Sequence, residues 1–152
     1  MQQFGEFFLN HWELFLALGF ILVMLAYQMF GNRLHGYENA DPLAAVQLMN
    51  REDAVVVDVR GDDEFREGHI ADAIHIPLPA LASRAGELEK YKDRPLILGC
   101  RSGSRSAGAC GILSKQGFEK LYNLSGGMMA WQNANLPVAS GRKSKGKGKK
   151  KR

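Results

Sequence analysis

One cysteine closes an apolar run and is followed at once by small residues and two arginines, in Leu96-Ile-Leu-Gly-Cys100-Arg-Ser-Gly-Ser-Arg105-Ser106. Those residue types at that spacing make a cradle for a sulfur anion. Small residues let consecutive backbone N–H groups converge on one point, and a helix starting near Ser104 aims its positive end at the same place. Free cysteine has a pKa of about 8.5, and a helix N-terminus with neighbouring arginine lowers it to roughly 3.5 to 7.5. The plainer alternative makes Cys100 a buried strand residue with Arg101 and Arg105 solvated. A core cysteine, however, has no use for two cations and several hydroxyls in the next six residues, whereas a nucleophilic thiolate or a cysteine persulfide needs that charge balance.

The chain that must hold this loop has 152 residues and 45% hydrophobic content, room for one domain of roughly 100 residues with an extension at each end. Residues 1–35 read as an N-terminal membrane anchor. Leu14 to Phe30 carries no charged side chain, and with Trp12 the span over 12–30 approaches the length a bilayer core of ~30 Å asks of a helix. A cleaved signal peptide would start with a basic stretch, but Glu6 and Glu13 precede the apolar run and no Lys or Arg does. A buried core helix is the other alternative, and this segment lacks the polar face a surface helix shows. Arg33 behind the span, with no cation ahead of it, points the C-terminal domain to the cytoplasm, where Cys100 and Cys110 stay thiols.

The segment 139–152 reads as a disordered basic tail. From Arg142 to Arg152, eight of eleven residues are basic, and without them twelve basic side chains stand against sixteen acidic ones. The positive net charge of +4 therefore belongs to the tail. Lys, Gly and Ser cannot bury a core. Such a tail suits anionic lipid headgroups, or ribosomal or other RNA, or serves only solubility. Without an interleaved aromatic it lacks the means for base stacking.

Between the extensions, over 36–138, strand-like runs alternate with helical patterns. Asp41-Pro42 starts a helix running to Asn50 with a cap and a first-turn proline. Ala54–Val59 reads as a buried strand, Ile74–Ile76 as a short one ended by Pro77, and Ala82–Tyr91 as helical. Leu96–Gly99 is the next strand, Ser104–Gln116 a helix closed by Gly117, Lys120–Asn123 a strand, and Gly127–Ala134 a last helix. The alternation predicts α/β architecture with a mainly parallel sheet. Ligands of such sheets sit beyond the carboxyl ends of the strands, where Cys100 lies.

With the elements in place, further residues resemble a known family. Val56-Val-Asp-Val-Arg60, then Glu64-Phe-Arg-Glu-Gly-His-Ile70 and Ala73-Ile-His-Ile-Pro-Leu78, are similar to the first signature of the rhodanese domains. The Cys100–Arg105 loop and Leu124-Ser-Gly-Gly-Met-Met-Ala-Trp131 resemble the second and third, over roughly 36–138. The resemblance, to the single-domain, membrane-anchored bacterial type, implies a five-stranded parallel sheet flanked by helices, preceded here by the one transmembrane helix. It implies a sulfurtransferase of the bacterial cell membrane that needs no cofactor and no metal. Cys100 would take a sulfane sulfur from a small donor as a persulfide and pass it to a thiol acceptor. The amides of Arg101, Ser102, Gly103, Ser104, Arg105 and Ser106 would hold the persulfide, with Arg105 closing the loop and Arg101 drawing in an anionic donor.

Four residues separate Cys100 from Arg105, the spacing of sulfur-handling loops, where related cell-cycle phosphatases have one more and hold a larger phosphate. The animal tandem enzymes hold thiosulfate with an arginine and a lysine at places where this chain has Glu64 and Ser102. The resemblance thus implies sulfur transfer without implying thiosulfate as the donor. Asp58 and Arg60 are candidates for supporting the pocket, with a structural ion pair as the plainer role. His69 reads as a hydrogen-bonding structural residue, since it lacks a second ligand at metal spacing. Cys110 reads as core, and Gly126-Gly127 as a tight turn. A different class of function remains, a membrane-anchored adaptor whose domain or tail docks a protein partner with little catalysis.

Overall fold

The computed structural model describes residues 12–34 and 36–140, with the side chains of 26–34 left aside. The chain divides into two units, 1–35 and 36–152. In the first, α1 spans Trp12–Leu34. Its side chains up to Leu25 are exposed on every side, with consecutive Leu14, Phe15 and Leu16 all open and Phe20 reaching 72%. Among the described residues no helix is long and apolar enough to cross a membrane. The expected span over 12–30 runs past the last described side chain. The basic tail from Arg142 lies outside the described residues.

The second unit is built on a sheet of five parallel strands in the order β1-β5-β4-β2-β3. The strands are β1 (Glu38–Ala40), β2 (Val55–Asp58), β3 (Ile74–His75), β4 (Leu96–Gly99) and β5 (Leu121–Leu124). Between and after them come α2 (Pro42–Arg51), α3 (Asp62–Glu67), α4 (Leu78–Arg84), a 3-10 segment Ala85–Tyr91, α5 (Ser104–Lys115) and α6 (Gly127–Asn133). β2 and β4 are buried throughout, as an apolar run in a sheet covered on both faces must be. The pleat sends alternate residues to opposite layers. Val55, Val57, Leu96 and Leu98 face Leu81, Leu88, Cys110 and Leu113 in one core, while Val56 and Ile97 face Ala45, Met128 and Trp131 in the other.

Local chemistry sets the element ends. Asp41 caps α2 by accepting the Ala44 N–H at 2.8 Å, and Pro42 fills the first helical position, where a missing N–H costs nothing. The helix expected over Ala82–Tyr91 starts earlier, right after Pro77, and its last turns are 3-10. Proline fixes the entry to a helix better than the apolar period does. Two elements had no counterpart in the expectations. β1 is a polar edge strand, Glu-Asn-Ala, with only Ala40 buried, and α3 is a six-residue acidic helix with no buried residue.

Register fixes the site. Asp58 pairs with Gly99 across β2 and β4, so Arg60 and Cys100 leave neighbouring strands at the same carboxyl edge. The C-terminal segment is tied to that edge too, because His69 and Ala139 exchange backbone hydrogen bonds of 2.8 Å.

Candidate active site

Cys100 directly follows β4 and has no exposed surface. The loop that follows turns back through Gly103, whose φ of +98° only glycine adopts at no cost, and enters α5 at Ser104. The turn brings the Gly103 N–H to 3.1 Å from Cys100 Sγ and the Ser106 hydroxyl to 3.4 Å. Burial pushes the thiol's pKa up. Hydrogen bonds from the Ser106 hydroxyl and from the backbone N–H groups of Ser106, Gly103 and Ser102 outweigh it, leaving the thiol below its ordinary value. The Gly103 N–H and the Ser106 hydroxyl are thus the donors that the loop sets on the sulfur within hydrogen-bond distance.

The loop's carbonyls are turned the other way. Met128 N–H donates to the Cys100 carbonyl at 2.8 Å and Met129 N–H to the Arg101 carbonyl at 3.1 Å. With those oxygens committed to the first turn of α6, the loop amides are free to face the sulfur. Gly126 and Gly127, both at positive φ, make this close docking possible.

Around the loop the charges come in pairs. Arg105 is held by Glu64 through two hydrogen bonds of 2.8 Å each, a bidentate geometry that links α5 to α3. That hydrogen bond is the main reason the Glu64 carboxyl falls to about 2, burial working against it. Arg60 is held by Asp58 at 2.7 Å and donates to the Gly68 carbonyl at 2.6 Å, with both side chains almost wholly buried. Asp58 and Arg60 therefore make the structural ion pair the residues pointed to. Arg101 and Ser104 lie exposed on the outer side of the loop, Ser102 likewise. A cleft of about 190 Å³ opens beside them, lined by Arg60, Glu64, Glu67, Arg101, Met128, Met129 and Gln132. A larger one of about 350 Å³ lies at the amino end of β2 around Met49, Asp53 and Tyr91, away from Cys100.

The remaining sequence candidates fall into place as structure. His69 stacks on Phe65 and its Nδ1 lies 2.9 Å from the Phe65 carbonyl. Cys110 is fully buried in α5, with burial pushing its thiol up to about 12, so it offers no second nucleophile. Among the described residues no cluster of three or more His, Cys, Asp or Glu side chains is arranged to hold a metal.

Two residues of this site escaped the sequence reading. Asn123 on β5 is 7% exposed, and its Oδ1 accepts the Ser106 hydroxyl at 2.6 Å. Its Nδ2 donates to Asn39 Oδ1 on β1 at 3.0 Å. The signal for Asn123 was a carboxamide inside an apolar strand, which a buried position tolerates only with partners. For Asn39 there was none.

Comparison with known proteins agrees with this geometry. The family model described as rhodanese-like domain matches residues 41–134. The chain is 36% identical over 143 residues to the uncharacterized protein YibN of Escherichia coli strain K12, covering 93% of this chain and all of that protein. It is 38% identical over 94 residues to a sulfurtransferase of Allochromatium vinosum, covering 62% of this chain and 86% of the relative. Among solved structures, a rhodanese-related protein from Thermoplasma volcanium superposes with a TM-score of 0.62 at 29% identity, over 68% of this chain and 98% of that one.

Proposed function

Since the chain belongs to the rhodanese-like domain family and is a sulfurtransferase of that type, we propose that it carries sulfane sulfur as a persulfide on Cys100 and does so from a membrane tether. The observation that carries the reading is the set of N–H and O–H donors gathered on one buried sulfur, which favours the thiolate over the thiol. In the first half-reaction the Cys100 thiolate attacks the outer sulfur of a donor. The donor's sulfur–sulfur bond breaks, its electron pair leaves with sulfite or a thiolate, and Cys100 keeps one added sulfur. In the second, a thiophile such as cyanide or a thiol attacks that outer sulfur and the Cys100 thiolate leaves. The same donors that stabilise the thiolate then serve the persulfide anion. Because Sγ has no exposed surface, the donor enters from the cleft beside Arg101 and Met128 and parts the rim to reach it.

Intact-mass measurement of the purified protein tests the sulfur reading. Incubation with a sulfane donor should add about 32 Da per sulfur on Cys100, lost again on adding cyanide, as a covalent intermediate on a thiolate requires. No gain with any donor would overturn it and leave the adaptor reading, in which the domain or the basic tail captures a protein partner, anionic lipid or RNA.

The tether is argued from α1. Apolar side chains open on every side of a helix need a non-aqueous cover, and lipid supplies one. We place the domain on the cytoplasmic side, where both cysteines stay reduced. Full-length protein should stay with bacterial membranes through an alkaline wash, and a chain starting at Gly36 should not. Equal release of both would refute the tether.

A further inference from the structure

At the centre of the buried site a single hydroxyl has more acceptors than protons. Ser106 Oγ lies 2.6 Å from Asn123 Oδ1, 3.2 Å from the Gly103 carbonyl and 3.4 Å from Cys100 Sγ. A hydroxyl has one proton to give. In the arrangement observed, the shortest bond runs from Ser106 to Asn123, and Asn123 Nδ2 donates onward to Asn39 Oδ1 at 3.0 Å. The bond from Ser106 to Cys100 Sγ, at 3.4 Å, is then the weaker share of that one proton, which suits a neutral thiol.

A thiolate or a persulfide reverses the demand, since it only accepts. Turning the Ser106 proton onto sulfur would leave the Asn123 carbonyl oxygen 2.6 Å from an oxygen lone pair. That conflict ends if the Asn123 carboxamide rotates by half a turn and donates Nδ2 to Ser106 Oγ. Its Oδ1 then faces Asn39, whose exposed carboxamide must turn with it to donate Nδ2. Every hydrogen bond in the chain from Asn39 to sulfur is kept with its direction reversed. No covalent bond changes among these groups, and the proton lost by Cys100 goes to solvent.

We propose that Asn123, backed by Asn39, is a positioning residue that turns the Ser106 hydroxyl toward Cys100 Sγ whenever the sulfur carries negative charge. A carboxamide is the one side chain of this size that offers an acceptor or a donor by rotation alone. The proposal rests on the persulfide reading for its purpose, though not for its test. Charged groups near the loop are Arg101 within it, Arg105 with Glu64 from α3, and Arg60 with Asp58 at the end of β2. β5 and α6, which pack against the loop, bring no charged side chain. A change at Asn123 therefore leaves every charge in place.

The test is the pH dependence of Cys100 alkylation by iodoacetamide in the full chain, read on the Cys100 peptide by mass spectrometry and paired with thiolate ultraviolet absorbance. In Asn123→Leu the hydroxyl loses the group that turns it toward sulfur and divides its proton between the Gly103 carbonyl at 3.2 Å and Cys100 Sγ at 3.4 Å, which weakens the O–H bond to the thiolate. Alkylation below the midpoint should then slow about 5- to 10-fold, the worth of one ordinary hydrogen bond. Ser106→Ala should shift the profile at least as far, and the double variant no further than Ser106→Ala. Asn39→Ala, at the exposed end where folding is not at risk, should give a smaller shift in the same direction. An unshifted profile in Asn123→Leu overturns the proposal, as does a shift that adds to that of Ser106→Ala. Should Asn123→Leu not fold, an unshifted Asn39→Ala profile overturns it instead. Alkylation reads the thiolate directly, so variants that show these shifts beside a wild-type chain that never gains sulfur refute the persulfide reading and leave Asn123 standing.

Discussion

Cys100→Ser is expected to lower cyanide-dependent thiocyanate formation by on the order of 10³-fold or more, the scale on which removing a covalent nucleophile registers. The substitution keeps nearly the same volume in a site with no exposed surface, so the loop, its Gly103 N–H and the Ser106 hydroxyl should remain as they are. What disappears is an anion. A serine hydroxyl does not ionise near neutral pH, so the gathered donors have no charge to stabilise. An unchanged thermal midpoint separates this loss from unfolding, and near-wild-type turnover in the variant would sink the assignment of Cys100. The wild-type pH profile carries the same information with a definite sign. Because the Cys100 pKa is lowered, the rate should climb with pH and level off at a lower pH than it would for an unassisted cysteine.

Gly127→Ala is expected to destabilise the domain by about 2 to 5 kcal/mol and, with it, to loosen the loop. Gly127 has φ of +56°, a conformation that costs a residue with a Cβ roughly 1–2 kcal/mol. An added Cβ would also stand 2.6 Å from the Arg101 carbonyl carbon and nearer still to the Cys100 oxygen. Neither atom is the end of a flexible side chain, so backbone must move, at a further ~1–3 kcal/mol. Against a total of about 5–15 kcal/mol for a small domain this is a large share. Urea titration of the variant measures it, and a midpoint equal to that of the wild type would contradict the steric argument. The movement has a chemical consequence as well. Met128 and Met129 N–H hold the Cys100 and Arg101 carbonyls outward, so displacing α6 disturbs the amides that face the sulfur.

The parts of this molecule that could be read from sequence are those where one local rule prevails. β4 matches its expected limits of Leu96–Gly99, and α5 begins at Ser104 as expected, because an apolar run ended by Cys100 and a glycine turn leaves little choice. Asp41-Pro42 announced α2 through cap chemistry. The misses occur where tertiary pairing decides. Glu38–Ala40 becomes a strand only because β5 offers an edge with register Glu38 to Tyr122, and nothing apolar in the segment signals it. α3 has no buried residue, so periodicity had nothing to detect, yet it delivers Glu64 to Arg105 forty-one positions away. At the site, Cys100 and the loop were legible because their chemistry is contiguous. Asn123 was not, since its meaning depends on Ser106 and Asn39 arriving from two other elements.

The clasp between Glu64 and Arg105 bears on how the domain meets small anions. The Glu64 carboxyl is lowered to about 2, so it is charged near neutral pH and compensates Arg105, as Asp58 compensates Arg60. Among the described residues lining the cleft, a visiting anion finds Arg101 as the cation outside those two clasps, with the carboxylate of Glu67 on the same cleft. Encounter at such a doorway gains little from long-range attraction, which grows with local charge imbalance and is what electrolyte screens. Among the described residues the cleft is thus nearly balanced in charge, and Met128 and Met129 add soft thioethers to its wall.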